Sequence, residues 1–121
     1  MLIYPFIIKF INKYYLCIKI INEDSNEKLY FKLVKDKKIV QELVNPIFQK
    51  EHVYFFKLKK SVVELEENIR LFYEKGGKNY YVESINMYDC MIVDENQISY
   101  KFINEIKRNL LNELRGIRDY E

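Results

Sequence analysis

The sequence predicts an α+β fold: a mostly antiparallel sheet of about five to six strands, with two main amphipathic helices at about 61–75 and 96–116 packed on one face. Three observations lead to it. Short runs rich in Ile, Tyr, Phe and Val alternate with polar turns over residues 1–60 and again over 79–93. The stretch "SVVELEENIRLFYEKGG" carries helix start and stop signals. Residues 98–117 place apolar side chains at helical spacing.

Taken in order, residues 2–10 and 14–22 read as a first hairpin, turning at Asn12-Lys13. A rival reading exists, because Ile3, Ile7, Phe10, Tyr14, Cys17 and Ile21 also recur at the spacing of an amphipathic helix lying on a membrane surface. Pro5 and the enrichment in Ile, Tyr and Phe favour strands. Residues 22–28 are a polar turn and 29–34 a third strand. Over 38–45 the sequence leaves helix and strand open: Ile39, Val40, Leu43 and Val44 sit at i, i+1, i+4 and i+5, which suits a short helix better than an alternating strand. Asn45-Pro46 ends either element, since the residue before proline is pushed out of the helical region. Residues 52–58 then read as a strand.

The first helix is expected over 61–75. Ser61 and Glu64 have capping-box spacing, Val62, Leu65, Ile69 and Phe72 form one apolar stripe, and Gly76 supplies a left-handed end. Two strands follow, 79–85 and 87–93, joined tightly around Asn86. Asp94 or Asn96 then caps the longer helix, whose apolar face is Phe102, Ile103, Ile106, Leu110, Leu114 and Ile117. Gly116 weakens its last turn.

The chain of 121 residues suits one domain, 1–121, large enough to bury a core without disulfides or metal. Its 49% hydrophobic and 31% charged residues exclude the disordered and fibrous classes. Ala, Thr and Trp are absent while Ile, Asn, Lys, Tyr and Phe abound, the mark of A/T-rich codons, so abundance of Lys or Tyr alone carries little functional weight. Cys17 and Cys90 lie far apart, without a CxxC, and within apolar runs; they are expected to be inert buried thiols. A secretory signal has its basic residues before the apolar run, whereas Lys9, Lys13 and Lys19 follow or interrupt it, and residues 2–8 are too short to span a bilayer. The expectation is a cytoplasmic protein with no membrane span.

Catalytic signatures are sparse. A Ser-His-Asp or Cys-His arrangement would have to pass through the single histidine, His52, which opens a strand where an exposed side chain is ordinary. Cys90 beside Asp89 sits mid-strand among Met87, Met91 and Val93, where core packing explains it. The carboxylate pairs Glu66-Glu67 and Asp94-Glu95 fall at helix ends or faces. Gly76, Gly77 and Gly116 form no phosphate-binding loop, and no metal-ligand spacing appears. No enzyme, cofactor or metal is expected.

Charge is uneven along the chain. Residues 1–60 hold twelve Lys and Arg against six acids, a net of +6, and residues 61–121 hold eight against twelve, a net of −4. Strand alternation puts Tyr15 with Lys19, Tyr30 with Lys32, and Lys57 with Lys59 on common sides, so these six form the expected binding surface on a basic sheet face. The function expected is that of a small non-catalytic binding protein that occupies a macromolecular partner, another protein in the first place. Inhibitors, immunity proteins, antitoxins and phage anti-defence proteins are of this size and composition. The alternative is a single-stranded nucleic-acid binder that stacks bases on Tyr and pairs phosphates with Lys. A third expectation is a homo-oligomer formed through residues 98–117 or an edge strand.

Overall fold

The computed structural model describes residues 1–10, 12–23, 28–50 and 52–92. These residues are nearly all sheet. The strands are β1 (Leu2–Phe10), β2 (Lys13–Ile21), β3 (Tyr30–Lys35), β4 (Lys38–Leu43), β5 (Phe48–Lys50), β6 (Val53–Lys57), β7 (Ile69–Lys75), β8 (Lys78–Ile85) and β9 (Cys90–Ile92). Among the described residues the one helical segment is α1 (Lys60–Val63), a single turn. The α+β expectation is therefore corrected to two packed sheets, and the longer helix expected at 96–116 lies outside the described residues. No described helix is long and apolar enough to cross a membrane.

One sheet has five strands in the order β5-β6-β2-β1-β9 and the other has four in the order β4-β3-β7-β8. The β1–β2 hairpin forms as the alternation predicts, in register from Leu2 opposite Ile21 to Phe10 opposite Lys13, and Asn12 takes a left-handed φ of 60° at its turn. Leu2–Phe10 and Lys13–Ile21 are thus strands and not parts of a surface helix. Pro5 is tolerated because β9 pairs only with Ile7 to Lys9, leaving β1 an edge on that side at position 5. The chain switches sheets after β2, β4, β6 and β8, so β8 and β9 do not form the hairpin expected around Asn86. Instead β9 is short and runs parallel to β1.

The helix expected over 61–75 fails, and the choice left open over 38–45 falls to strand, each for an identifiable reason. Residues 61–75 begin helically, but Lys59 at the cap position makes no side-chain cap, and Glu66 and Asn68 adopt left-handed φ of 66° and 59° that stop the turn. From Ile69 the chain alternates: Ile69 and Leu71 are buried between the sheets, Arg70 is exposed, and Phe72 and Tyr73 are half-buried. Gly76 and Gly77, at φ 57° and 77°, then form a tight hairpin turn instead of a helix end. Residues 38–45 hold β4, which returns from β3 through Asp36 and Lys37, also left-handed at 51° and 65°. A bulge between Leu33 and Val34 shifts the register by one residue, which breaks the alternation and leaves Ile39 exposed while Leu43 is buried.

The principal core lies between the sheets. Ile7, Leu16, Ile18, Ile20, Phe56 and Leu58 from the five-stranded side meet Phe31, Leu33, Leu43, Ile69, Leu71 and Ile85 from the other. The Phe31 ring packs 6.2 Å from that of Phe56 and 6.1 Å from that of Tyr54, centroid to centroid, fixing the contact between layers. A smaller cluster of Ile8, Phe10, Tyr15, Cys17 and Phe55 occupies the opposite face of the five-stranded sheet. The loop after α1 is pinned from several sides. Lys35 Nζ donates to the carbonyls of Leu65 at 2.8 Å and Glu67 at 2.9 Å, and the Met87 amide donates to the Glu66 carbonyl at 2.6 Å.

Candidate functional site

A concavity of about 760 Å³ opens where the β1–β2 turn, the end of β6 and α1 come together. Each element contributes for a local reason. Asn12 turns the hairpin and delivers Lys13 to the groove. The Leu58 amide donates to the Tyr14 carbonyl at 2.9 Å, extending the β2–β6 pairing past its last strand residue and carrying Lys57, Lys59 and Lys60 to the same mouth. The α1 turn then folds Val63 and Glu64 over one side, held by amide donations from Val62 and Val63 to the Lys59 carbonyl at 3.0 and 3.1 Å.

The clamp is Gln41, the one buried polar side chain among the described residues. From β4 on the opposite sheet, its Nε2 donates to the Lys57 carbonyl at 2.9 Å and its Oε1 accepts from the Lys59 amide at 3.0 Å. Both ends of the amide are satisfied, and the two sheets are tied at the groove. A Gln41→Leu chain keeps the volume but orphans both backbone groups; a stability loss of about 1–2 kcal/mol is expected in urea unfolding. An unchanged midpoint would mean that water replaces the amide without cost.

The groove is lined by Tyr14, Leu58 and Val63 together with the exposed residues Lys13, Lys57, Lys59 and Lys60, and Glu64 is the sole carboxylate among the described lining residues. Lys9 Nζ adds a further cation, 5.6 Å from the centroid of the Tyr14 ring. No described group of three or more His, Cys, Asp or Glu is placed to hold a metal ion. What the site offers chemically is attraction for carboxylates or phosphates beside a patch that favours apolar groups.

The six residues expected to form one binding surface are divided. Lys57 and Lys59 meet at the groove. Lys19 is exposed on the outer face of the five-stranded sheet, near its far end, and Tyr15 is buried in the cluster on that face. Tyr30 and Lys32 belong to β3 in the other sheet, whose outer face looks away from the first. Sequence reasoning missed Lys13, Tyr14, Gln41 and Lys60. The signal for Lys13 was present, since a turn at Asn12 places it at the end of its sheet; nothing in the sequence showed that Gln41 reaches across from the second layer.

A second polar cluster sits at the opposite end of the five-stranded sheet. Glu23 accepts from the Tyr54 hydroxyl at 2.5 Å and from His52 Nδ1 at 3.0 Å, so both carboxylate oxygens are engaged. The His52 side chain is 62% exposed, as its strand-opening position suggests. Burial first, then the hydrogen bond and negative charge of Glu23, push the Tyr54 hydroxyl up to about 12. Because the folded-state value lies above the ordinary 10.0, the contribution of this group to stability is whole below pH 10 and disappears as pH climbs to about 12. Tyrosinate absorbance should therefore show a late-titrating component that Tyr54→Phe removes; a Tyr54→Phe titration superimposable on the parent curve would contradict it. Cys17 and Cys90 are both free, Cys17 being fully buried, and burial pushes the Cys17 thiol up despite the opposing charge of Lys19.

Comparison of the chain with protein-family models, curated proteins and solved structures finds no match.

Proposed function

We propose that this protein is a non-catalytic binding protein that occupies a protein partner, as an inhibitor or immunity protein does, by seating an acidic and partly apolar segment of that partner in the lysine-lined groove. The observation that supports the reading is that Tyr14, Leu58 and Val63 line one groove together with Lys13, Lys57, Lys59 and Lys60. Protein interfaces bring apolar and charged groups together in this way. A nucleic-acid strand would want exposed rings beside the lysines. At the groove Tyr14 is only half-exposed and lies under Lys9; Tyr30 and Tyr81 belong to the other sheet, Tyr4 stands toward the far end of β1, and the Tyr88 hydroxyl donates to Glu66.

The test is a fluorescence-anisotropy titration against three labelled probes: a peptide alternating Glu with Leu and Phe, its Gln counterpart, and a short single-stranded oligonucleotide. The acidic peptide should bind at least tenfold more tightly than the neutral one. The combined Lys57→Glu, Lys59→Glu and Lys60→Glu changes should remove that preference, chiefly through slower association. Tighter binding of the oligonucleotide, with affinity falling steeply as salt rises, would overturn the proposal in favour of nucleic acid.

A further inference from the structure

Residues directly opposite one another on neighbouring strands point to the same side of a sheet, so the registers fix which side chains share the outer face of the four-stranded sheet. Phe31, Leu33, Ile69 and Leu71 turn inward to the core between the sheets, and Tyr30, Lys32, Val34, Arg70, Phe72 and Glu74 therefore turn outward. They fall into three rows across the strands. The central row, from β4 to β8, is Glu42, Lys32, Phe72 and Tyr81. Ile39, Val34, Arg70 and Ser84 flank it on one side. On the other side are Tyr30, Glu74 and Asn79, and Val44 shares a concavity with Tyr30 and Glu42 there. The bulge in β8 does not upset this order, since the Tyr81 hydroxyl and Ser84 Oγ lie 3.1 Å apart.

This face is open. Tyr30 and Ile39 are each 53% exposed, Tyr81 is 54% and Val44 61%. Among the described residues, none of the four charged side chains Lys32, Glu42, Arg70 and Glu74 takes part in a hydrogen bond or ion pair. Two are positive and two negative, so a polyanion finds no net attraction on this side of the molecule.

The face is, however, complementary to itself. A second copy laid against it, with a two-fold axis running along the central row and across the strands, exchanges the two flanking rows. Arg70 of each copy then lies over Glu74 of the other, Val34 over Tyr30, and Ile39 over Val44, while Phe72 and Tyr81 meet their equivalents on the axis. Lys32 and Glu42 also lie on the axis, one strand spacing of ~4.8 Å apart, so each has the opposite charge of the other copy as its neighbour. Isologous contacts need this kind of match between one surface and its own rotated image. Aligned face-to-face stacking is an ordinary way for two twisted sheets to pack.

We propose that the protein forms a two-fold symmetric dimer through the outer faces of its four-stranded sheets, centred on Phe72 and sealed by reciprocal Arg70–Glu74 ion pairs. Four strands at ~4.8 Å and six residues at ~3.3 Å give a footprint of roughly 19 Å by 20 Å. That is the small end of specific interfaces, so dissociation in the micromolar range is expected. None of these residues lines the lysine-lined groove, and the dimer stands independently of the groove reading.

Sedimentation velocity of the full chain across micromolar concentrations tests it, with circular dichroism confirming that each variant keeps its sheet signal. The wild type should pass from monomer to dimer as concentration rises. Arg70→Glu alone, or Glu74→Arg alone, sets like charges against each other and should weaken the dimer at least tenfold. The double swap, Arg70→Glu with Glu74→Arg, should bring it back to within about threefold of the wild type. A wild type that stays monomeric throughout would overturn the proposal. So would a dimer indifferent to the single reversals, or one that the double swap fails to restore.

Discussion

Replacing Phe55 by alanine is expected to lower the free energy of unfolding by about 3–5 kcal/mol. Phe55 points away from the space between the two sheets, so a plain two-layer sandwich would rate it a surface position, where substitutions usually change stability by about 0.5 kcal/mol or less. Its surroundings say otherwise. The ring is fully buried, lies 6.1 Å from that of Tyr15, and pairs in register with Cys17. Deleting it removes a large apolar side chain from water-free packing and leaves a cavity. Tyr4→Ala, at an exposed site on β1 facing the same side, supplies the contrast and should cost less than about 1 kcal/mol. Urea unfolding followed by circular dichroism measures both. A Phe55→Ala loss no greater than that of Tyr4→Ala would show the face to be open.

The second large effect separates strand from helix over 69–75. In the strand, Leu71 is fully buried between Leu33 and the core while Phe72 stands outward, half-exposed, with the Tyr81 ring 5.5 Å away. In the helical stripe the order is reversed, with Phe72 inside and Leu71 off the stripe. Leu71→Ala should therefore cost about 2–5 kcal/mol, and Phe72→Ala about 1 kcal/mol or somewhat more, chiefly its half of an aromatic pair. If Phe72→Ala proved the more damaging of the two, the alternation from Ile69 to Lys75 would be refuted.

Strand content was legible wherever alternation ran unbroken between recognisable turns. The β1–β2 hairpin, β3, β6 and β8 lie within a residue or two of their expected places because Asn12, the polar run of sequence from 22 to 28 and Gly76-Gly77 mark their limits. The 61–75 stretch deceived because both periods fit it: Val62, Leu65, Ile69 and Phe72 are spaced for a helix, and Ile69, Leu71 and Tyr73 for a strand. Local signals favoured the first, while pairing with β3 and β8, a non-local gain, decided for the second. Bulges hid β4. The assignment of strands to two sheets was not legible either, since alternation tells which side a residue takes but not which layer receives it. One clue was overlooked. Tyr15, Leu16, Cys17 and Ile18 are all apolar in succession, as in strands covered on both faces, which argued against Tyr15 as a surface ring. Of the candidate site, Lys57 and Lys59 were found in sequence, and the groove that unites them with Lys13 and Lys60 depends on a contact between layers.

The pairing of β1 with β9 has a consequence for how the protein comes off the ribosome. Once β2 has been made, β1 can form its hairpin with it, yet the other margin of β1 at Ile7 to Lys9 lacks its β9 neighbour until Cys90 to Ile92 have been made. Until then the nascent chain presents a greasy ribbon with unsatisfied amides, open to capture by chaperones or by another copy. Closure comes late, and it joins the ends of the described chain, so refolding in vitro should be slower than that of a helical bundle of similar length.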